Sequence, residues 1–386
     1  SRKMTANQYH LEIQDIVAKA FRDASDGLGK INILVVGKTG VGKSTLINSI
    51  FRGDFAKTGS GAPVTQGIEE ITKPGHPLTI IDTKGIEVAD YQKILDDLDE
   101  VINNRTQSID PNVHIHAAWI CINCKSSRVE AAEVDLCNYL NSKNIPVITV
   151  ITKSGKKDPF IQKVKELLPN ANATIPVRAQ DEEDHDEEPP RIMKSHGLNE
   201  LIRETAKLIP ESQKRAFSAA LNTRNAQALE VKREQAEKEV IISAGLAATA
   251  AAIPVPFSDA FTLVPIQVGM FAKIGATFGM KLSTTTLTTL VTSALGSSAA
   301  TLLGRAIVGN IAKFLPGIGS AAGSAISATT AGTLTKAIGE AYISVLFDFC
   351  KNNPSYDEVV SKYGSKVFEY ELLGKIVIFN GIVKLG

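Results

Sequence analysis

The chain has 386 residues, enough for two domains, and its 42 basic and 41 acidic residues leave a formal net charge of +1. That balance points neither to nucleic acid nor to an acidic partner. Four cysteines are too few for a disulfide framework, and no apolar run follows the basic residues at the N-terminus, so a reducing, cytoplasmic setting without a secretory signal is expected.

Residues 1–30 read as one amphipathic helix, with Leu11, Ile13, Ile16, Val17 and Phe21 near helical spacing and Gly27 and Gly29 at its end. From Ile31 the pattern changes. Short, uniformly apolar runs at 31–36, 78–81, 117–122, 146–151 and 175–177 alternate with longer amphipathic stretches. Continuous apolar strands separated by helices predict an α/β domain over 31–212, a parallel sheet covered on both faces. Cys121 and Cys124 look like a CxxC, but they sit in an apolar run read as a buried strand. Residues three apart on a strand face opposite sides, so a structural role is expected. The acidic run 181–188, followed by Pro189 and Pro190, reads as a solvated loop. A helix over 197–210 closes the domain, with Leu198, Leu201, Ile202, Ala206 and Leu208 on one face. Residues 213–240 read as a charged connector helix. The rest, 241–386, reads as an all-α domain rich in Ala, Gly, Ser and Thr up to 349, with a tail that carries a hairpin signal at Asn380-Gly381.

The chemistry concentrates after the first strand. Gly37, Lys38, Thr39, Gly40, Val41, Gly42, Lys43 and Ser44 match GxxxxGK(S/T), between a buried run and a helical stretch at 44–51. Gly40 and Gly42 let the backbone wrap closely, so its N–H groups and the helix start, including Thr45, can face phosphates. Lys43 supplies a point charge to the β- and γ-phosphates, and the Ser44 hydroxyl a ligand for Mg²⁺. Asp82 stands at the end of the run 78–81, placed to hold Mg²⁺ through water, and Gly85 completes a DxxG whose N–H meets the γ-phosphate.

The phosphate loop, the stretch Ala62-Pro63-Val64-Thr65 and the stretch Asp82-Thr83-Lys84-Gly85-Ile86-Glu87 together resemble the Era-like branch of the TRAFAC-class GTPases, over roughly residues 31–210. The resemblance implies GTP and GDP as ligands with Mg²⁺, and Lys43, Thr65 and Gly85 as the catalytic set. Thr65 falls on the first-switch threonine that coordinates Mg²⁺; Thr58 competes less well because it lies outside the Pro-Val-Thr pattern. Base recognition departs from the family's (N/T)KxD, since the run 146–151 leads into Thr152, Lys153, Ser154 and Gly155. Lys153 can still lie over the base, but Gly155 has no carboxylate, and Asp158 or Ser154 is the candidate substitute. Val177, Arg178 and Ala179 occupy the place of the SA(K/L) loop, whose backbone N–H meets the guanine oxygen. Ile86 stands where Ras-type GTPases carry the glutamine that orients water. Slow turnover is therefore expected, with help from a switch side chain, a potassium ion or a second protomer. Arg128 is a further candidate, set against the simpler reading of a solvent-facing loop arginine.

In the C-terminal half, the segments 282–304 and 314–335 each exceed the roughly 20 residues that span a bilayer. They are thick with Ser, Thr and Gly, however. Pro254 and Pro256 break the preceding apolar segment, and Lys273, Lys281, Arg305 and Lys313 interrupt the whole, each costing about 2.5–3.5 kcal/mol on insertion. A packed bundle that touches membranes reversibly is expected; small residues suit close helix contact. The pattern Ile253-Pro254-Val255-Pro256-Phe257-Ser258-Asp259, then Pro265-Ile266-Gln267, Met270, Gly275 and Gly279, resembles the uncharacterised helical domain that follows GTPase modules in some bacterial Era-like proteins, many of them membrane-associated. In layout alone the chain is similar to immunity-related and dynamin-like GTPases. The expected function is a slowly hydrolysing GTP switch. Its predicted contacts are self-association through the GTPase domain, as a homodimer or larger assembly, and peripheral membrane contact through 241–349. The alternative is a nucleotide-stabilised assembly module, or an NTPase without strict guanine selection.

Overall fold

The computed structural model describes residues 6–83, 91–251, 259–280 and 328–363, and the chain divides into two compact units, Gly29–Val231 and Ser1–Leu28 with Lys232–Gly386. The first unit is built on a seven-stranded sheet of β1 (Ile31–Val36), β2 (Ser60–Pro63), β3 (Ile68–Thr72), β4 (Leu78–Thr83), β5 (Ala117–Asn123), β6 (Val147–Thr152) and β7 (Ala173–Val177). Its order is β2-β3-β4-β1-β5-β6-β7. The apolar runs expected to be buried strands are the five parallel ones, and they are apolar on both faces because both faces are covered. Along β1, Ile31, Ile33 and Val35 join one core cluster while Leu34 and Val36 join the other. The first cluster includes residues of helices α2 (Lys43–Ile50), α7 (Leu198–Leu208) and α8 (Lys214–Ala220); the second includes residues of α4 (Tyr91–Thr106), α5 (Ala131–Ser142) and α6 (Phe160–Leu167). Trp119 centres the first cluster. Its ring stacks on Phe51 at 5.8 Å and its indole N–H donates to Thr205 Oγ1 at 3.1 Å, so the buried polar atom is satisfied.

Three features differ from the expectation. The short helix α3 (Phe55–Thr58) leads into the antiparallel edge hairpin β2–β3, which has no apolar run because β2 is exposed along its whole length. The acidic stretch is more than a loop: β8 (Glu182–Asp184) and β9 (Arg191–Met193) pair as a small hairpin, closed at its base where Ser195 N–H donates to Asp181 at 2.8 Å. The connector breaks between α8 and α9 (Ala226–Ala251). There Leu221 bridges to Phe51, and the intervening residues bond to the end of α2. Asn222 N–H donates to Ile50 O at 2.9 Å, Asn222 and Asn225 Nδ2 each to Ser49 O at 2.8 Å, and Arg224 Nη2 to Asn48 O at 2.8 Å. These donors meet carbonyls that a helix end cannot satisfy internally, which outweighs continuation of the connector as one helix.

In the second unit, α1 (Ala6–Asp26) packs against α10 (Asp259–Thr277), and α10 against α11 (Ala328–Asn352), followed by α12 (Tyr356–Tyr363). Phe271 meets Tyr342 edge to face at 4.6 Å. A Cβ on Gly339 would lie 2.6 Å from Val240 Cγ2 and 2.8 Å from Met270 Sδ, so α11 approaches α9 and α10 more closely than alanine allows. Lys232 is fully buried and donates to Phe278 O at 3.1 Å, just past the end of α10, where a cation is favoured. Among the described residues no helix is long and apolar enough to cross a membrane. The segment 282–304, most of 314–335 and the hairpin signal near Asn380 lie outside them.

Candidate functional site

The sheet order reverses at β1, which lies between β4 and β5. In open α/β sheets the crevice at such a switch point, beyond the carboxyl ends of the strands, is where ligands bind. The loop 37–42 leaves β1 there. A Cβ on Gly37 would meet Val41 Cγ1 at 2.8 Å and Cys121 O at 3.0 Å, and Gly42, at φ 103°, is in the left-handed region that favours glycine. Gly42 has no side chain to cap α2. The first N–H groups of the helix, at Lys43, Ser44 and Thr45, have no intrahelical acceptor and face an anion-favouring dipole end.

The loop is gripped from outside. Thr152 Oγ1 donates to Val41 O at 2.7 Å, Lys153 Nζ to Gly40 O at 3.1 Å, and Lys38 Nζ pairs with Glu130 at 2.7 Å. Because the peptide is planar and trans, holding the Val41 carbonyl outward turns the Gly42 N–H to the opposite, inner side. Lys43 Nζ donates to Gly37 O at 3.0 Å and Thr83 O at 2.6 Å, and lies 2.8 Å from Asp82 Oδ1. That last approach is an ion pair without the alignment of a hydrogen bond: Asp82 Oδ1 is buried and has no hydrogen-bond partner. Thr83 Oγ1 is also buried without a hydrogen-bond partner, but on the opposite face of β4: Thr83 pairs with Ile68 of the second core cluster, Asp82 with Val35 of the first. A buried carboxylate oxygen held only by an ion pair, its lysine and a bare helix start form a donor set suited to phosphate with a hard cation. Glu130 carries no motif signature; only the fold brings it to the loop.

Thr65 lies in the β2–β3 turn, where its Oγ1 accepts from Gly67 N–H at 3.2 Å. Ile68 pairs with Thr83, and Val35 with Asp82, so this turn, Asp82 and the phosphate loop share one end of the sheet. Thr58 belongs to the other end: Ser60 pairs with Thr72, which pairs with Thr79, and Thr58 Oγ1 is held by Gly53 O, Asp54 O and Lys73. Gly85 and Ile86 lie outside the described residues. Arg128 is exposed and lies 3.4 Å from Glu130, linked to the loop through the Lys38 pair.

At the end of β6, Thr152 faces the phosphate loop, and Lys153, at φ 55°, lays its stem across it. Ser154 is fully buried; its Oγ donates to Gly155 O at 2.8 Å and its N–H to Val177 O at 3.1 Å. The Asp158 carboxylate accepts from Phe160 N–H at 2.9 Å at the head of α6 and engages the Cys124 thiol. Neither candidate substitute offers a carboxylate with both oxygens unengaged. Arg178 pairs through its backbone with His196 and lies 3.7 Å from Glu182, with Ala179 next in line. Cys121 and Cys124 are both reduced and buried, one in each core cluster; burial pushes the Cys121 thiol up to about 12.

Residues 32–153 match the 50S ribosome-binding GTPase family, and residues 218–369 match Domain of unknown function (DUF697). Neuronal-specific septin-3 of Rattus norvegicus is 28% identical over 183 residues, 39% of this chain and 51% of its own length. The tRNA modification GTPase MnmE of Baumannia cicadellinicola is 30% identical over 246 residues, 60% of this chain and 47% of its own. The chain thus spans about half the length of these relatives. Among solved structures, the cytosolic domain of the T. maritima FeoB iron transporter in GMPPNP form covers 83% of this chain and 98% of its own, at 13% identity and a TM-score of 0.29. The first unit is the G domain of a P-loop GTPase, and it is followed by a region of the DUF697 type.

Proposed function

We propose that the chain is a guanine-nucleotide switch that hydrolyses GTP slowly and whose helical region changes its self-association or its peripheral membrane contact with the bound nucleotide. The observation that carries the reading is the bare start of α2 with Lys43 beside the Asp82 carboxylate. In this reading the N–H groups of residues 37–45 hold the phosphates and Lys43 leaves its carbonyl partners to neutralise the β- and γ-oxygens. Thr65 and Gly85 close over the γ-phosphate, and Thr65 is favoured over Thr58 because its turn shares the sheet end with Asp82. Ser44, Thr65 and, through water, Asp82 would hold Mg²⁺, which spreads the charge that builds on the phosphoryl oxygens. Water attacks the γ-phosphorus and the bond to the β–γ bridging oxygen breaks. The base lies along Lys153, with Arg178 and Ala179 at its edge. Ile241, Ile242 and Leu246 on α9, 66%, 53% and 53% exposed, support an apolar contact by the helical region.

Titration of a fluorescent GTP analogue against wild type, Lys43→Ala and Ser44→Asn tests the site. The lysine variant should lose about 2–3 kcal/mol of binding, roughly a hundredfold, as a charge-assisted contact does; wild-type affinity in it would sink the assignment. Sedimentation with GDP or a GTP analogue, with and without liposomes, tests the switch, and identical profiles with both nucleotides would refute it.

A further inference from the structure

We infer that the base site selects 6-oxopurine nucleotides as a class and does not read the 2-amino group that distinguishes guanine. The inference rests on the nucleotide-site reading above and concerns the far end of the same site. With phosphates on the start of α2, the proposed base position is beside Lys153, whose Nζ reaches Gly40 O on the loop, between residues 153–158 and residues 178–180, which Ser154 N–H to Val177 O joins.

Guanine offers O6 as an acceptor and N1–H with the 2-amino group as donors; inosine offers the same O6 and N1–H with hydrogen at C2; adenine reverses the pattern at positions 6 and 1. Reading the two guanine donors takes an anionic acceptor with both oxygens available. Gly155, where the chain could supply it, has none. Of the nearby carboxylates, Asp158 accepts from Phe160 N–H and engages the Cys124 thiol, Glu182 lies 3.7 Å from Arg178, and Asp181 accepts from Ser195 N–H and pairs with Lys194. Ser154 is fully buried and its hydroxyl carries no charge. What remains at the edge is a donor. The Ala179 N–H has no partner among the described residues, and a backbone N–H rewards O6 while meeting the adenine amino group as a like donor.

The test is competition of GTP, ITP and ATP against one fluorescent GTP analogue, on wild type and Gly155→Asp. A Cβ at position 155 meets nothing within 4 Å, so the variant keeps the fold. In wild type, ITP should match GTP within about threefold and ATP should be at least about tenfold weaker, since one hydrogen-bond mismatch is worth about that factor. In Gly155→Asp, GTP should gain about tenfold or more over ITP. A wild-type preference for GTP over ITP of about tenfold or more would show that the 2-amino group is read after all. Equal competition by ATP, or an unchanged GTP-to-ITP ratio in the variant, would also overturn the inference. No displacement by any of the three would refute the nucleotide site itself, a result distinct from all the others.

Discussion

Thr152→Val isolates the grip on the phosphate loop from the chemistry of the loop. Thr152 is 5% exposed; its hydroxyl donates to Val41 O at 2.7 Å and sits 3.4 Å from Ile122 O. Valine has nearly the same shape and suits a parallel strand, at whose end Thr152 stands, so packing and strand preference barely change. The substitution removes one hydrogen bond, about 0.5–1.5 kcal/mol net, and leaves a carbonyl without its donor, which brings the expected loss of stability to about 1–2 kcal/mol. With the Val41 carbonyl released, the Gly42 N–H is no longer held inward, and nucleotide affinity should fall about tenfold. Urea unfolding reads the first effect and fluorescent-nucleotide titration the second. Thr152→Ser, which keeps the hydroxyl, should restore most of the affinity. If Thr152→Val loses stability but binds like wild type, the anchor is structural and the preorganisation argument fails.

Two further perturbations address the frame around the site. Asn222→Ala removes a fully buried side chain that donates to Ser49 O and accepts from the Arg224 and Asn225 N–H groups; it should cost about 2–3 kcal/mol in chemical unfolding. Glu133, near the Lys38–Glu130 pair, is buried and accepts from Glu130 N–H; desolvation pushes its carboxyl from 4.5 to about 7. A raised acid favours the fold below the unfolded value and loses that contribution as pH rises through the folded one. Glu133→Gln, which keeps the acceptor, should therefore match wild type at pH 5 and exceed it by about 2 kcal/mol at pH 8 in urea titrations; equal stability at both values would remove the burial argument.

The legible part of the site is the part whose chemistry is carried by neighbours in sequence. Residues 37–44 supply backbone donors, a lysine and a hydroxyl within one loop and one helical turn, so their spacing alone states what they can hold. The parallel strands were equally plain, because burial on two faces leaves an uninterrupted apolar run. What escaped is what depends on distant partners. Lys38 and Glu130 are 92 residues apart, and Thr152 and Val41 are 111 apart. Nothing local marks Glu130 as anything but a helix cap. The edge hairpin escaped because β2 buries no face. The break after α8 escaped because helix propensity, summed along 213–240, says nothing about carbonyls waiting at the end of α2.

That break has a mechanical meaning within the switch reading. Helix α2, eight residues long, has its phosphate-facing N–H groups at one end and the carbonyls of Asn48, Ser49 and Ile50 held by residues 222–225 at the other. A helix of that length is about 12 Å long and is stiffened by its own hydrogen-bond ladder. A shift imposed at its start by phosphate contacts is therefore delivered at its end with little loss, whereas the β2–β3 turn hangs from an exposed edge strand and can move alone. Within the first unit, the side chains that hold the far end of α2 are the asparagines and the arginine at 222–225.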